Sequence, residues 1–237
     1  SGPEGAPAVV FAHGRGGNGA SWWQQVPYFV DRYRCITFDH RGFGRSSCAP
    51  GTFLVRYFVQ DVEAILRAER VEKLSFVGQS MGGWTGLRFA IAHPDRMQCL
   101  VLANTCAGVM TDKLREHGRS RPSTARAPDY HEREPAMGYL YNQIGAFNTG
   151  EGPAGWSTMQ PDERDLDIAK LEGFATPTIM ITGETDRVFP REMLHEVAPQ
   201  IPGCEVIDLP VVGHSAYYED AAAFNETVGG FLARHTE

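Results

Sequence analysis

The feature that most constrains this chain is a rhythm of six short apolar runs, rich in β-branched residues: Ala8 to Ala12, Cys35 to Phe38, Leu74 to Val77, Cys99 to Leu102, Thr178 to Ile181 and Glu205 to Leu209. Runs without strict polar alternation suit strands buried on both faces, and parallel strands buried in that way need crossover connections of a dozen residues or more. The stretches between the runs can supply them. Helices are predicted around Phe53 to Arg70, Met81 to His93, Pro190 to Ala198 and Ala221 to Arg234. In the first of these, Val55, Phe58, Val59, Val62, Ile65 and Leu66 recur at spacings of three and four, which leaves one apolar face to dock on a sheet. The pattern predicts an α/β fold with a mostly parallel sheet and helices on both faces.

A chain of 237 residues, 42% of them hydrophobic, can bury one large core, so a single domain over 1–237 is expected. The rhythm fails between about Ala107 and Lys170, where Arg and Pro are frequent and Tyr130, Tyr139, Tyr141, Phe147 and Trp156 occur without a strand pattern. A structureless loop of that length is implausible in a compact domain, and a small, partly helical cap insertion at about 107–170 is the expected alternative.

Charge narrows the partners. With 22 Lys and Arg against 29 Asp and Glu, the formal net charge is -7, and no basic cluster reverses it, so nucleic acid is excluded as a partner. Five cysteines (Cys35, Cys48, Cys99, Cys106, Cys204) lack CxxC spacing and are odd in number, which fits reduced thiols in a cytoplasmic setting better than a disulfide framework or a metal site. No run approaches the roughly 18 apolar residues that cross a bilayer, and Ser1 to Pro7 lack the regions of a signal peptide, so no membrane partner is expected. Oligomeric state is not legible.

The chemical signal is Gly78-Gln79-Ser80-Met81-Gly82, set between an apolar run and a helix-compatible stretch. A strand turning sharply into a helix holds a serine in a strained conformation with its hydroxyl exposed, and the flanking glycines allow close backbone approach. A serine needs a base to take its proton. Of eight histidines, His214 follows the last apolar run through Val211-Val212-Gly213, on a loop at a strand's carboxyl end, where sites in open α/β sheets gather. The third member should be a carboxylate that fixes the imidazole tautomer. Asp186 and Glu184 compete in Gly183-Glu184-Thr185-Asp186, and Asp186 is preferred because the loop can turn back toward the histidine after Gly183. Two amides are candidates to hold an oxyanion: Met81, at a helix N-terminus, and Arg15, in the glycine-rich loop after His13-Gly14.

Taken together, His13-Gly14, Asp39-His40-Arg41-Gly42-Phe43-Gly44-Arg45-Ser46, Gly78 to Gly83, Gly183 to Pro190 and Gly213-His214 resemble the α/β-hydrolase fold superfamily over nearly the whole chain. The resemblance implies a Ser80, Asp186 and His214 triad, the Arg15 and Met81 amides as oxyanion hole, and a cap lining the substrate pocket. It implies no cofactor or metal. Leu100-Val101-Leu102-Ala103-Asn104-Thr105 and the Ser-Met-Gly-Gly elbow look like enol-lactonases and small carboxylesterases, hence a small-molecule ester or lactone substrate. Phe224-Asn225-Glu226 is similar to a segment of carbon-carbon bond hydrolases that open ring-cleavage dienoates, and a receptor that binds its ligand without turnover is a further reading on the same fold.

Overall fold

The computed structural model describes residues 1–118, 125–148 and 161–236. All six apolar runs become strands: β1 (Ala8–Ala12), β2 (Arg34–Phe38), β3 (Leu74–Gln79), β4 (Met97–Ala103), β5 (Thr178–Gly183) and β6 (Cys204–Leu209). They form one parallel sheet in the order β2-β1-β3-β4-β5-β6. Pairing extends β3, β4 and β5 past the apolar runs into Gln79, Ala103 and Gly183, because backbone hydrogen bonding does not need an apolar side chain.

The helices follow in order: α1 (Val26–Phe29), α2 (Val55–Ala68), α3 (Met81–Ala92), α4 (Asp112–His117), α5 (Tyr130–Arg133), α6 (Pro135–Ala146), α7 (Pro161–Arg164), α8 (Arg191–Val197), α9 (Ala216–Glu219) and α10 (Ala221–His235). Alternate strand residues feed two separate cores, as the two-residue period of a strand requires. On one face Val10, Phe76, Leu100 and Met180 meet Val55, Phe58, Val62 and Leu66 of α2, Leu87 and Phe89 of α3, and Leu194 and Val197 of α8. On the other, Val9, Phe11, Val77, Val101, Ile179 and Ile181 meet Trp22, Phe29 and the α10 residues Phe224, Val228, Phe231 and Leu232. Each such side chain contributes roughly 2 kcal/mol by leaving water, so the two layers hold the sheet rigid from both sides. The anchoring residues of α2 are the four named; Val59 and Ile65 lie at the margin of its buried face and are only partly covered.

The insertion departs between β4 and β5. Its described parts are helical, α4 to α7, with Thr111 capping α4 through a bond from the Leu114 amide. Arg88 of α3 clasps both ends of the insertion: its guanidinium donates to the carbonyls of Ala107 (3.4 Å) and Arg164 (2.7 Å). Burial lowers this guanidinium to about 10, still charged at neutral pH. The Leu166 amide donates to Gly108 O at 2.7 Å beside it. Of the aromatic residues expected to line a cap pocket, Tyr130 is buried in the core under Tyr218, whereas Tyr139 and Phe147 are about two-thirds exposed and face outward. Trp156 lies outside the described residues. No described helix is long and apolar enough to cross a membrane.

Candidate active site

The carboxyl ends of β1, β3, β4, β5 and β6 converge on Ser80. This serine follows Gln79, the last residue of β3, and caps α3 with φ 50° and ψ -113°, a conformation an L-residue adopts at a cost of order 1–3 kcal/mol. Three bonds hold it there. Its amide donates to Ala103 O at 2.9 Å, and its carbonyl accepts from Thr105 Oγ1 at 2.7 Å and from the Gly83 amide at 3.0 Å. Side chains at the flanking glycines would obstruct the turn, since a β-carbon on Gly78 would lie 2.6 Å from the Gly82 carbonyl and one on Gly82 only 2.0 Å from Ala12 O.

His214 Nε2 lies 3.0 Å from Ser80 Oγ, and its Nδ1 lies 3.0 Å from Asp186 Oδ2. With the carboxylate as acceptor, the neutral ring carries its proton on Nδ1 and leaves Nε2 free to accept from the serine hydroxyl. Histidine and aspartate are both buried, 6% and 4% exposed, which removes water from the pair. The two carboxylates of this loop sit differently. Asp186 reaches the imidazole, while Glu184 turns to the surface, accepts from the Val211 amide at 3.1 Å and faces Arg191.

Both carboxylate oxygens of Asp186 are engaged. Oδ1 accepts from the Val188 and Phe189 amides at 2.8 and 2.9 Å, and Oδ2 accepts from Asn104 Nδ2 at 3.1 Å as well as from His214. Asn104 ends β4 at φ 50° and gives its other amide hydrogen to Gly213 O at 3.1 Å. Gln79 Nε2 donates to the His214 carbonyl at 2.9 Å. These two side chains link the strand ends to the histidine loop, and the sequence reading missed both. Their one visible signal was position, since each is a polar residue standing where an apolar run reaches its carboxyl end.

The Arg15 loop is organised by a buried histidine. His13 Nδ1 donates to Gly14 O at 2.8 Å, and its Nε2 accepts from the His40 amide at 2.9 Å. The Gly17 amide also donates to Gly14 O, at 3.0 Å. Across a trans peptide the N–H points opposite to the C=O, so fixing the Gly14 carbonyl toward His13 directs the Arg15 N–H the other way. Gly14 abuts the nucleophile elbow, where a β-carbon on it would lie 3.0 Å from Ser80 Cβ. The Met81 amide opens α3 beside the serine, where the first amides of a helix have no partner within it.

Helix α6 of the insertion bridges the two halves of this machinery. At its far end Asn18 Nδ2 donates to Ile144 O (2.8 Å) and Asn148 Nδ2 to Gly16 O (2.7 Å), which pins the Arg15 loop. In its middle, Tyr141 OH donates to Ser215 Oγ at 2.8 Å, because that hydroxyl spends its own hydrogen on Ala125 O.

Burial holds His13 down to about 4, from an ordinary value of about 6.5, and holds His40 well below that range. The bonding of His13 agrees, since a proton on Nε2 would face the His40 N–H. Neither ring nitrogen of His40 has a hydrogen-bond partner among the described residues. A histidine kept neutral by folding takes up its proton on unfolding, so the stability it contributes is complete above the unfolded value and is lost as pH falls from about 6.5 toward 4. For His13 this amounts to about 3 kcal/mol. The urea midpoint is therefore expected to fall between pH 7 and pH 5, and His40→Leu to flatten that slope. A level midpoint in the parent chain would contradict this account of the two histidines.

Sheet, elbow and hydrogen-bonded Ser80-His214-Asp186 chain define a hydrolase of the esterase and lactonase type. The sequence profile of the alpha/beta hydrolase fold matches residues 7–126, half of the chain, and the protein belongs to that family. Among its relatives, 3-oxoadipate enol-lactonase 2 of Acinetobacter baylyi is 28% identical over 96% of this chain and 89% of its own length. RutD of Serratia proteamaculans, a protein provisionally named a carbamate hydrolase, is 27% identical over 97% and 92%. Est816, a solved structure described as an N-acyl homoserine lactone degrading enzyme, superposes with a TM-score of 0.80 at 26% identity, covering 97% of this chain and 94% of that one.

Proposed function

We propose that this protein hydrolyses small carboxylic esters or lactones through an acyl-enzyme on Ser80. The observation that carries the reading is the unbroken chain of contacts from Ser80 Oγ through His214 to Asp186, with the tautomer fixed for proton transfer. His214 Nε2 takes the hydroxyl proton as Ser80 Oγ attacks the carbonyl carbon. The oxyanion that forms is received by the Met81 amide at the start of α3 and the Arg15 amide of the loop that His13 holds, a pair of fixed backbone donors. The imidazolium, held by the Asp186 carboxylate, then protonates the leaving alkoxide. Water enters, gives its proton to His214 and attacks the acyl group, which frees the acid and restores Ser80. The similarity to an enol-lactonase and to a lactone-degrading enzyme supports a lactone among the substrates. The whole chain acts as one catalytic unit. Its five cysteines are all unpaired, which supports a reducing, cytoplasmic setting.

The segment similar to carbon-carbon bond hydrolases has a structural use. Asn225 accepts from Gln25 Nε2 and donates to Gln24 O, so it fastens α10 to the turn before α1. That use accounts for Asn225 without assigning a reaction, and dienoate cleavage stands as the second reading.

The test is proton release at constant pH against ethyl butyrate, γ-butyrolactone, an acyl homoserine lactone and a methyl carbamate. A fluorophosphonate label mapped by mass spectrometry accompanies it. Turnover with the label on the Ser80 peptide is expected; turnover with the label elsewhere, or none on any ester or lactone, would overturn the reading.

A further inference from the structure

Glu219 closes α9, the single turn that follows the His214 loop, and the catalytic scheme above makes no use of it. Its carboxylate nevertheless accepts three backbone amides. Gly213 N donates to Oε2 at 3.0 Å and Ser215 N to Oε1 at 3.2 Å, the amides of the two residues that flank His214 in sequence. Ala127 N, from the insertion, donates to Oε2 at 2.8 Å. The insertion backbone lies directly on the loop, since a β-carbon on Gly213 would fall 2.3 Å from Ala127 N. Ser215 is fully buried and offers no side-chain cap to α9, having spent its hydroxyl on Ala125 O. Glu219 instead bonds the amide of the N-cap residue Ser215 itself, as the acidic side chain of a capping box does, and extends that bonding to Gly213 and the insertion.

We infer that Glu219 is a positioning residue for His214: its carboxylate fixes the amides flanking the histidine and seats the insertion's Ala127 on them, so that the imidazole stays aligned with Ser80. The inference rests on the hydrolase reading above. Three amides on one carboxylate are a charge-assisted arrangement that a neutral group cannot reproduce. A carboxamide in the same place presents NH2 to at least one amide N–H, and the protonated acid presents O–H in the same way. Burial raises Glu219 above the ordinary carboxylate range, the three amides oppose that shift, and the negative charge of Asp186 adds to it. The phenols of Tyr130, Tyr141 and Tyr217 also face it, and the Arg126 guanidinium, 4.4 Å from the Tyr141 ring centroid, is the cation beside those phenols.

Glu219→Gln is expected to lower kcat about 10- to 100-fold at pH 8, the scale on which catalytic groups respond to displacements of an ångström or less. KM should stay within about threefold, because substrate contacts are untouched. The loss should shrink as the medium is made acidic, since the raised carboxyl of the parent's own Glu219 is then progressively protonated and comes to resemble the variant. A purely structural glutamate would not produce this convergence. Where Glu219→Gln does not unfold cooperatively, Glu219→Asp, which keeps the charge but is one methylene short, is read by the same kcat and KM criterion. A kcat within twofold of the parent at pH 8, with Ser80→Ala inactive, overturns the inference alone; activity retained by Ser80→Ala overturns the hydrolase reading beneath it.

Discussion

Asp186→Asn is expected to fold normally and to lose about ten-thousandfold in kcat, as measured by proton release on whichever ester or lactone the parent turns over. The hydrogen-bond network dictates how the new amide must sit. Oδ1 of Asp186 receives the Val188 and Phe189 amides, so the carboxamide keeps its oxygen there, because an NH2 group would face two donors. The NH2 then occupies the place of Oδ2, opposite His214 Nδ1 and Asn104 Nδ2. It can only donate, and His214 Nδ1 must accept. The ring proton moves to Nε2, which now presents N–H to Ser80 Oγ and cannot take the serine's proton. Asn104 could relieve the new clash by turning over, since its Oδ1 has no hydrogen-bond partner among the described residues, but Gly213 O would lose its donor. Glu184→Gln is the control: its carboxylate is 44% exposed, accepts from the Val211 amide and pairs with Arg191 without reaching His214, and a change within about threefold is expected. Equal losses in the two variants would mean that the tautomer of His214 is not set by Asp186.

What could be read from residues alone follows from periodicity and placement. The strands were legible because apolar runs and their spacing are one-dimensional signals, and Ser80, Asp186 and His214 could be proposed as a set because each sits within a few residues of the carboxyl end of such a run. The outermost strand residues, such as Gln79 and Ala103, were not, because they pair through backbone groups that every residue shares. The positioning residues were hidden for a different reason. Asn104 acts on Asp186 across 82 positions of sequence, Gln79 on His214 across 135, and Asn148 on Gly16 across 132. An amide side chain carries no periodicity that would betray such a partner. The choice of Asp186 over Glu184 rested on how a loop turns after Gly183, and the structure gives the reason it turns that way: the Glu184 and Thr185 amides pair with Leu209 O and Val212 O, binding the acid loop to the histidine loop. The cap was legible as an interruption but its aromatic residues were not legible as a pocket, because exposure of Tyr139 and Phe147 depends on which helix face the core leaves uncovered.

Replacing Ser80 should separate what the elbow does for chemistry from what it costs the fold. Ser80→Ala and Ser80→Gly are both expected to lower turnover at least about a thousandfold, leaving only the contributions of the oxyanion amides and of binding. Their stabilities should differ. Alanine keeps a β-carbon at φ 50° and ψ -113° and so keeps the strain, whereas glycine has none to clash. The strain is of order 1–3 kcal/mol, and the extra backbone entropy of glycine in the unfolded chain takes back roughly 0.5–1 kcal/mol. A net gain of about 1 kcal/mol for Ser80→Gly over Ser80→Ala follows, or about 3 °C in the thermal midpoint for a chain of this length. The bonds holding the position are made by the Ser80 backbone, to Ala103 and Thr105, and survive both substitutions. If the glycine variant melts no higher than the alanine variant, the strain is not stored at Ser80, and the serine's exposure would have to be enforced by Gly78, Gly82 and the packing of α3 against β1 alone.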